Sequence, residues 1–256
     1  MDRTRWNECI QSLGWLCGRC QQGQLRQTGK NLLEQSTAET NLVQGEDWFE
    51  PEMAETRFAG LLVCDNPDCR DPVAIAGTLQ RDYFQIDVSE YDIQENFRVQ
   101  AITPAPAPFH ISEKVPEAVK FKVIAAAGLF WSDLEAAANM VRQAVETLLD
   151  QQKVHKYPAT GPRRAVSLHN RILDFQKKNP SAGDALLAVK WIGNAGSHKG
   201  GLDRDAVLDG FELLEHALEE TYIGSRKALL AKAKKINARR KPLARPKSKS
   251  KTRWRD

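Results

Sequence analysis

The chain has 256 residues, 41% hydrophobic and 27% charged, which suffices for one full domain plus a smaller one of ordinary globular composition. Its net charge of +4 hides an asymmetry: 14 Lys and Arg and one Asp lie between Arg226 and Asp256, so the tail carries +13 and the remainder −9. A body that acidic excludes a broad polyanion-binding surface outside the tail, and the longest apolar run, "VIAAAGLFW" (123–131), falls far short of the roughly 20 residues of a membrane span.

The opening "MDRTRWNECIQSLGW" has no apolar segment of the signal-peptide kind, so a cytoplasmic protein is expected. Residues 1–101 read as a small β-rich domain. "FAGLLVC" (58–64), "PVAIAGTL" (72–79) and "DYFQIDV" (82–88) are apolar or alternating runs, separated by turn chemistry at "DNPDC" and at Arg81-Asp82. Residues 21–57 are polar and Gln-rich, with "DWFEPEM" the one aromatic anchor. The alternate prolines of "ITPAPAPFH" predict an extended, semi-rigid linker over 102–112.

Within the β-rich part the cysteines pair up as Cys17-Gly-Arg-Cys20 and Cys64-Asp-Asn-Pro-Asp-Cys69. Each pair brings two thiolates to one side of a tight turn, and two such turns complete the tetrahedral sulfur shell that Zn²⁺ takes at about 2.3 Å. A zinc ribbon with an insertion at 21–63 is therefore expected, its zinc structural because four sulfurs leave no open position. The insertion is tolerable because loop-closure entropy grows slowly with length. Cys9 is left over as a buried or free thiol.

From Pro116 the texture becomes Ala-rich and helical up to "YPATGP" (157–162), with Leu134, Ala137, Val141, Val145 and Leu148 forming one amphipathic stripe. A second helix is predicted over 163–178, a third from about Ser181, and a fourth over 202–222 with Val207, Phe211, Leu214, Leu218 and Tyr222 on one face. Short connections between such helices predict an antiparallel bundle over 113–237. The whole is then α+β: a small β-rich zinc ribbon followed by an all-α bundle, with a disordered basic tail at 238–256.

"KWIGNAGSHKGG" (190–201) follows the third helix. It lacks the spacing of a phosphate-binding loop, and it follows a helix where such a loop follows a strand. Gly193, Asn194 and Gly196 are helix-stop residues, and Lys190 and Trp191 read equally as a helix surface and a core anchor. Arg142 and Glu146 lie one turn apart on the first long helix, as an ion pair or as an inward-facing arginine that approaches 190–198.

"AAGLFWSDLEAAANMVRQAVETLL" (126–149), "LHNRILDF" (168–175) and "LLAVKWIGNAGSH" (186–198), in that order, together with the cysteine pairs, resemble a bacterial family, domain of unknown function 4145. That family is similar to the HEPN superfamily of helical domains, many of them metal-independent endoribonucleases of defence and stress systems. Their sites pair an arginine with a nearby histidine, usually across a homodimer interface. The resemblance implies that His198 stands at the histidine position, Asn194 at the preceding polar position, and Lys190 where the superfamily usually shows arginine, with Arg142 the substitute. It further implies an RNA-directed protein in which an endoribonuclease and a non-catalytic protein- or nucleotide-binding module with a structural zinc both stay open. Lys199, Arg239, Arg240, Lys241, Arg245, Lys247, Lys249, Lys251, Arg253, Trp254 and Arg255 are the residues expected to hold nucleic acid, by counterion release and base stacking.

Overall fold

A computed structural model describes residues 1–87, 90–158, 164–195 and 201–240. They form a mixed α+β structure. Strands β1 (Leu25–Ser36), β2 (Glu55–Cys64), β3 (Pro72–Asp87) and β4 (Glu90–Thr103) make one antiparallel sheet in the order β1-β2-β3-β4. Phe58, Leu62, Val73, Ile75, Leu79, Phe97 and Val99 line its buried face, and Ile10 closes it by exchanging backbone hydrogen bonds with Phe97 at 2.9 and 2.8 Å.

The sheet departs from expectation in three places. β1 lies inside the polar 21–57 stretch; it is an edge strand, so alternation of burial along it is weak. β4 was not foreseen. No turn interrupts β3 at Arg81-Asp82, because Arg81 is held across the sheet by Glu95 (2.8 Å) and by Glu34 (2.7 Å) on β1. A short helix α1 (Ala38–Val43) sits in the β1–β2 connection.

The predicted linker is packed rather than extended into solvent: Ala107, Phe109 and Ile111 are buried, and Ala107 N–H donates to the Leu16 carbonyl at 3.0 Å. Alternate prolines set the backbone, but Phe109 and Ile111 give it an apolar side that the core takes up.

The Ala-rich texture from Pro116 predicted one long helical stretch; the structure has two helices there, α2 (Glu117–Leu129) and α3 (Leu134–Gln151). Asp133 ends the break, its carboxylate accepting from Ala136 N–H at 2.9 Å as an N-cap. Phe130 and Trp131 turn into the core there. Helices α4 (Leu168–Gln176), α5 (Pro180–Ala195) and α6 (Arg204–Leu218) follow. α3 packs against α2, α5 and α6, and α5 also against α4 and α6. Ser167 and Asp203 cap α4 and α6. α6 runs into a π-helical turn, Glu219–Ile223, and then α7 (Ser225–Arg239), a helix not predicted, whose described side chains from Leu229 onward face solvent. The predicted disorder therefore starts too early, at 238; the rest of the tail, 241–256, lies outside the described residues. No helix among the described residues is long and apolar enough to cross a membrane.

One buried core joins sheet and helices, and the first sixteen residues are its hinge pin. Trp6 stacks on Trp131 (centroids 5.1 Å, 25° between planes) and meets Phe130 (5.3 Å) and Phe211 (6.2 Å). Trp15 meets Trp131 edge-on at 5.4 Å. Arg3 reaches Asp205, Asp209 and Glu212 on α6 at 2.8, 2.6 and 3.2 Å.

Arg171 on α4, only 5% exposed, donates to Asp150 (2.6 Å) and to the Val154 carbonyl (3.1 Å), and Lys156 holds the other oxygen of Asp150 at 2.6 Å. Burial opposes the charge on Asp150, yet these two cations keep its carboxyl below its ordinary value of 3.8. A depressed folded-state pKa gives stability that is present above pH ~4 and lost as pH falls through the folded value. Arg171→Ala is expected to cost about 2–3 kcal/mol, less than a fully buried pair because Lys156 stays and Asp150 is a third exposed. Urea unfolding at pH 7 and pH 3 checks this: the gap between wild type and variant should shrink at the lower pH.

Candidate functional site

The two cysteine pairs meet. Cys17 and Cys20 lie in a turn before β1, Cys64 ends β2, and Cys69 closes the β2–β3 turn. Cys17 Sγ is 3.9 Å from Cys69 Sγ, Cys20 Sγ is 3.6 Å from Cys64 Sγ, and all four sulfurs lie within 4.8 Å of one another. A tetrahedral shell of sulfurs at about 2.3 Å from a central ion has ligands about 3.8 Å apart. The cluster can therefore hold a metal ion.

The two turns are built alike. Gln21 N–H donates to the Cys17 carbonyl (3.0 Å) and Arg70 N–H to the Asn66 carbonyl (3.1 Å). Gln21 and Arg70, each directly after a second cysteine, have left-handed backbones with φ of 52° and 51°. A non-glycine residue there costs about 1–2 kcal/mol, which the surrounding ladder must offset. Gly23 N–H and the Asn66 amide point at Cys20 Sγ at 3.4 and 3.7 Å. Such outer donors orient and stabilise a thiolate.

Burial pushes the Cys17 thiol up and carries Cys64 to about 12. Burial also opposes ionisation of Cys20, but the N–H groups of Gly23 and Gln22 outweigh it and bring that thiol to about 6. Four thiolates this close repel one another without a cation between them. Metal uptake must then expel protons, and occupancy should fall as pH is lowered.

The centre is tied to the helices. A Cβ on Gly18, between the first two ligands, would collide with the Ala105 carbonyl, and Gln21 Oε1 accepts from Ile111 N–H at 2.6 Å. Cys9 is exposed and away from the cluster.

The helical candidates are brought together only in part. Lys190 and Asn194 lie on α5. Arg142 on α3 approaches α5 at Gly193: a Cβ there would fall 2.8 Å from Arg142 Cβ and 3.2 Å from the Ala138 carbonyl, so only glycine allows the two helices this close. Arg142 also keeps its ion pair with Glu146, at 3.4 Å, and its Nε is buried with no hydrogen-bond partner among the described residues. Lys190 Nζ lies 3.3 Å from the centroid of the Trp191 ring. Trp191 itself is 58% exposed rather than a core anchor. His198 and Lys199 lie outside the described residues, as do Lys241, Arg245, Lys247, Lys249, Lys251, Arg253, Trp254 and Arg255. Arg239 and Arg240 end α7 and are exposed. His169 and Arg171 on α4 read from sequence as a solvated face, yet the His169 ring is 6.1 Å from Trp191 and its Nδ1 is buried without a partner among the described residues.

Residues 125–239 match the family model described as a domain of unknown function (DUF4145). The helical unit belongs to DUF4145. Residues 8–104, which carry all four clustered cysteines, match a different model, also described as a domain of unknown function (DUF8608). The DUF4145 likeness therefore covers α3 to α7 and only the C-terminal end of α2, and the cysteine pairs fall under the second model. No curated protein and no solved structure matches the chain.

Proposed function

We propose that this protein is RNA-directed: a zinc-ribbon unit, stabilised by one structural Zn²⁺ on Cys17, Cys20, Cys64 and Cys69, carries a HEPN-like DUF4145 unit that cleaves RNA without a metal. The observation that supports it best is the meeting of Arg142 with Gly193. It sets the stem of an arginine on α3 against the α5 segment that leads in sequence into Asn194 and His198. Lysine at 190 lacks the fork that grips a phosphate with two parallel hydrogen bonds, and it is occupied by Trp191.

In this reading Arg142 steadies charge on the phosphorane and Asn194 positions a phosphate oxygen. His198, with a reference pKa of about 6.5, takes the proton from the 2′-hydroxyl. That oxygen bonds to phosphorus while the bond to the 5′-oxygen breaks, and the leaving oxygen takes up a proton. The products are a 2′,3′-cyclic phosphate and a 5′-hydroxyl, with no redox change. Zinc supplies no step; it holds the ribbon in shape.

The test uses zinc-loaded full-length protein with no added divalent metal and a labelled single-stranded RNA. Arg142→Ala and His198→Ala should each slow cutting by roughly 10²–10³-fold, with Arg142→Lys recovering little. Cutting that persists in both variants removes the assigned site. The ion pair of Arg142 with Glu146 favours a second reading, in which RNA is bound but left whole; uncut RNA that still binds in a salt-dependent way would select it.

A further inference from the structure

We infer that Trp191 and Lys190 form a stacking platform for one unpaired RNA base, which makes single-stranded RNA the substrate class; this rests on the RNA-directed reading above. Ala182, Ala185, Leu186 and Val189 bury the inner face of α5. Trp191 stands off that face, with more than half of the largest side chain in the helix left in water. Its exposure leaves an aromatic face within reach of a base, the kind of face on which single-stranded nucleic acid stacks.

Its surroundings define what fits. The Lys190 ammonium, 3.3 Å from the ring centroid, rests on the electron-rich indole face where a base would lie. A nucleotide brings both replacements at once: the base takes the ring face, and its phosphate takes the ammonium. His169 flanks the indole, ring centroids 6.1 Å apart and planes at 53°, and so supports one side of the platform. Trp191 is one helical turn before Asn194 and on the same side of α5, so a base held there lies near the phosphate oxygen that Asn194 would position. In a duplex every base face is covered by its neighbours, and a single indole on a helix surface finds none to stack on.

Fluorescence anisotropy with zinc-loaded, full-length His198→Ala protein tests this without cleavage. The probe is a labelled RNA oligonucleotide, alone or annealed to its complement. The single strand should bind at least ten-fold tighter than the duplex. Trp191→Ala should weaken single-strand binding by roughly five- to a hundred-fold, as loss of one stacked base does, with duplex binding unchanged; Trp191→Phe should recover most of it. Equal affinity for both forms overturns the proposal, and so does single-strand binding that Trp191→Ala leaves intact. Loss of self-association in Trp191→Ala with RNA binding unchanged also overturns it and assigns the indole to a second copy of the chain. Absence of all RNA binding removes this proposal and the RNA-directed reading together. Wild-type protein that binds through Trp191 but never cuts removes only the cleavage. Because the side chain is exposed, the melting temperature of the variant should match wild type.

Discussion

If the four-cysteine cluster holds zinc as proposed, Cys64→Ser should abolish metal binding and lower the melting temperature of the helical unit as well as the sheet. Cys64 is fully buried at the end of β2 and its sulfur is 3.6 Å from Cys20; a hydroxyl there is a poor ligand for Zn²⁺. Structural zinc contributes on the order of 10–16 kcal/mol to folding of small peptides that depend on it. Only part of that reaches a larger core, but a loss of even about 3 kcal/mol lowers the melting temperature of a chain this size by roughly 6–12 °C. The effect should cross into the helices because the first knuckle touches Ala105 and Ile111, which lie on the path into α2. Metal analysis should give one zinc per chain in wild type and none in the variant, and far-UV circular dichroism should show the earlier helical transition. An unchanged metal count overturns the zinc assignment. A zinc-free variant with an unshifted helical transition would show that the two halves are energetically separate.

Trp6→Ala carries the second large expectation, a loss of about 3–5 kcal/mol. Its ring is almost fully buried among Trp131, Phe130 and Phe211, so truncation opens a cavity between three aromatic faces that cannot easily close. The Trp6 carbonyl also receives Arg204 at 3.4 Å. Denaturant unfolding should show one transition at lower midpoint. If the loss is below about 1 kcal/mol, the N-terminal segment is a surface dressing and not part of the shared core.

These two expectations differ in how far they could be read from sequence. The cysteine cluster was legible because its information is local: two short turns with glycine, asparagine and proline, each with its thiols at fixed spacing. α3 and α6 were legible through stripes such as Val207, Phe211, Leu214 and Leu218, whose period survives burial. β1 was hidden by its place at the sheet edge, where polar residues suit both faces. The break at Phe130–Asp133 was hidden because apolar residues continue straight through it. The meeting of Arg142 with Gly193 depends on how two helices far apart in the chain cross, and no periodicity encodes that. The role of Trp6 was invisible for the same reason: its partners lie more than a hundred residues away.

That distance has a consequence for synthesis. Arg3 finds Asp209 across 206 positions, and Trp6 finds Phe211. As the chain emerges from a ribosome, its first sixteen residues are made first, yet their docking ground on α6 appears only near the end. At about 5–20 residues per second they wait on the order of ten seconds or more. During that wait Trp6 and Trp15 stay without the aromatic partners that bury them in the folded chain.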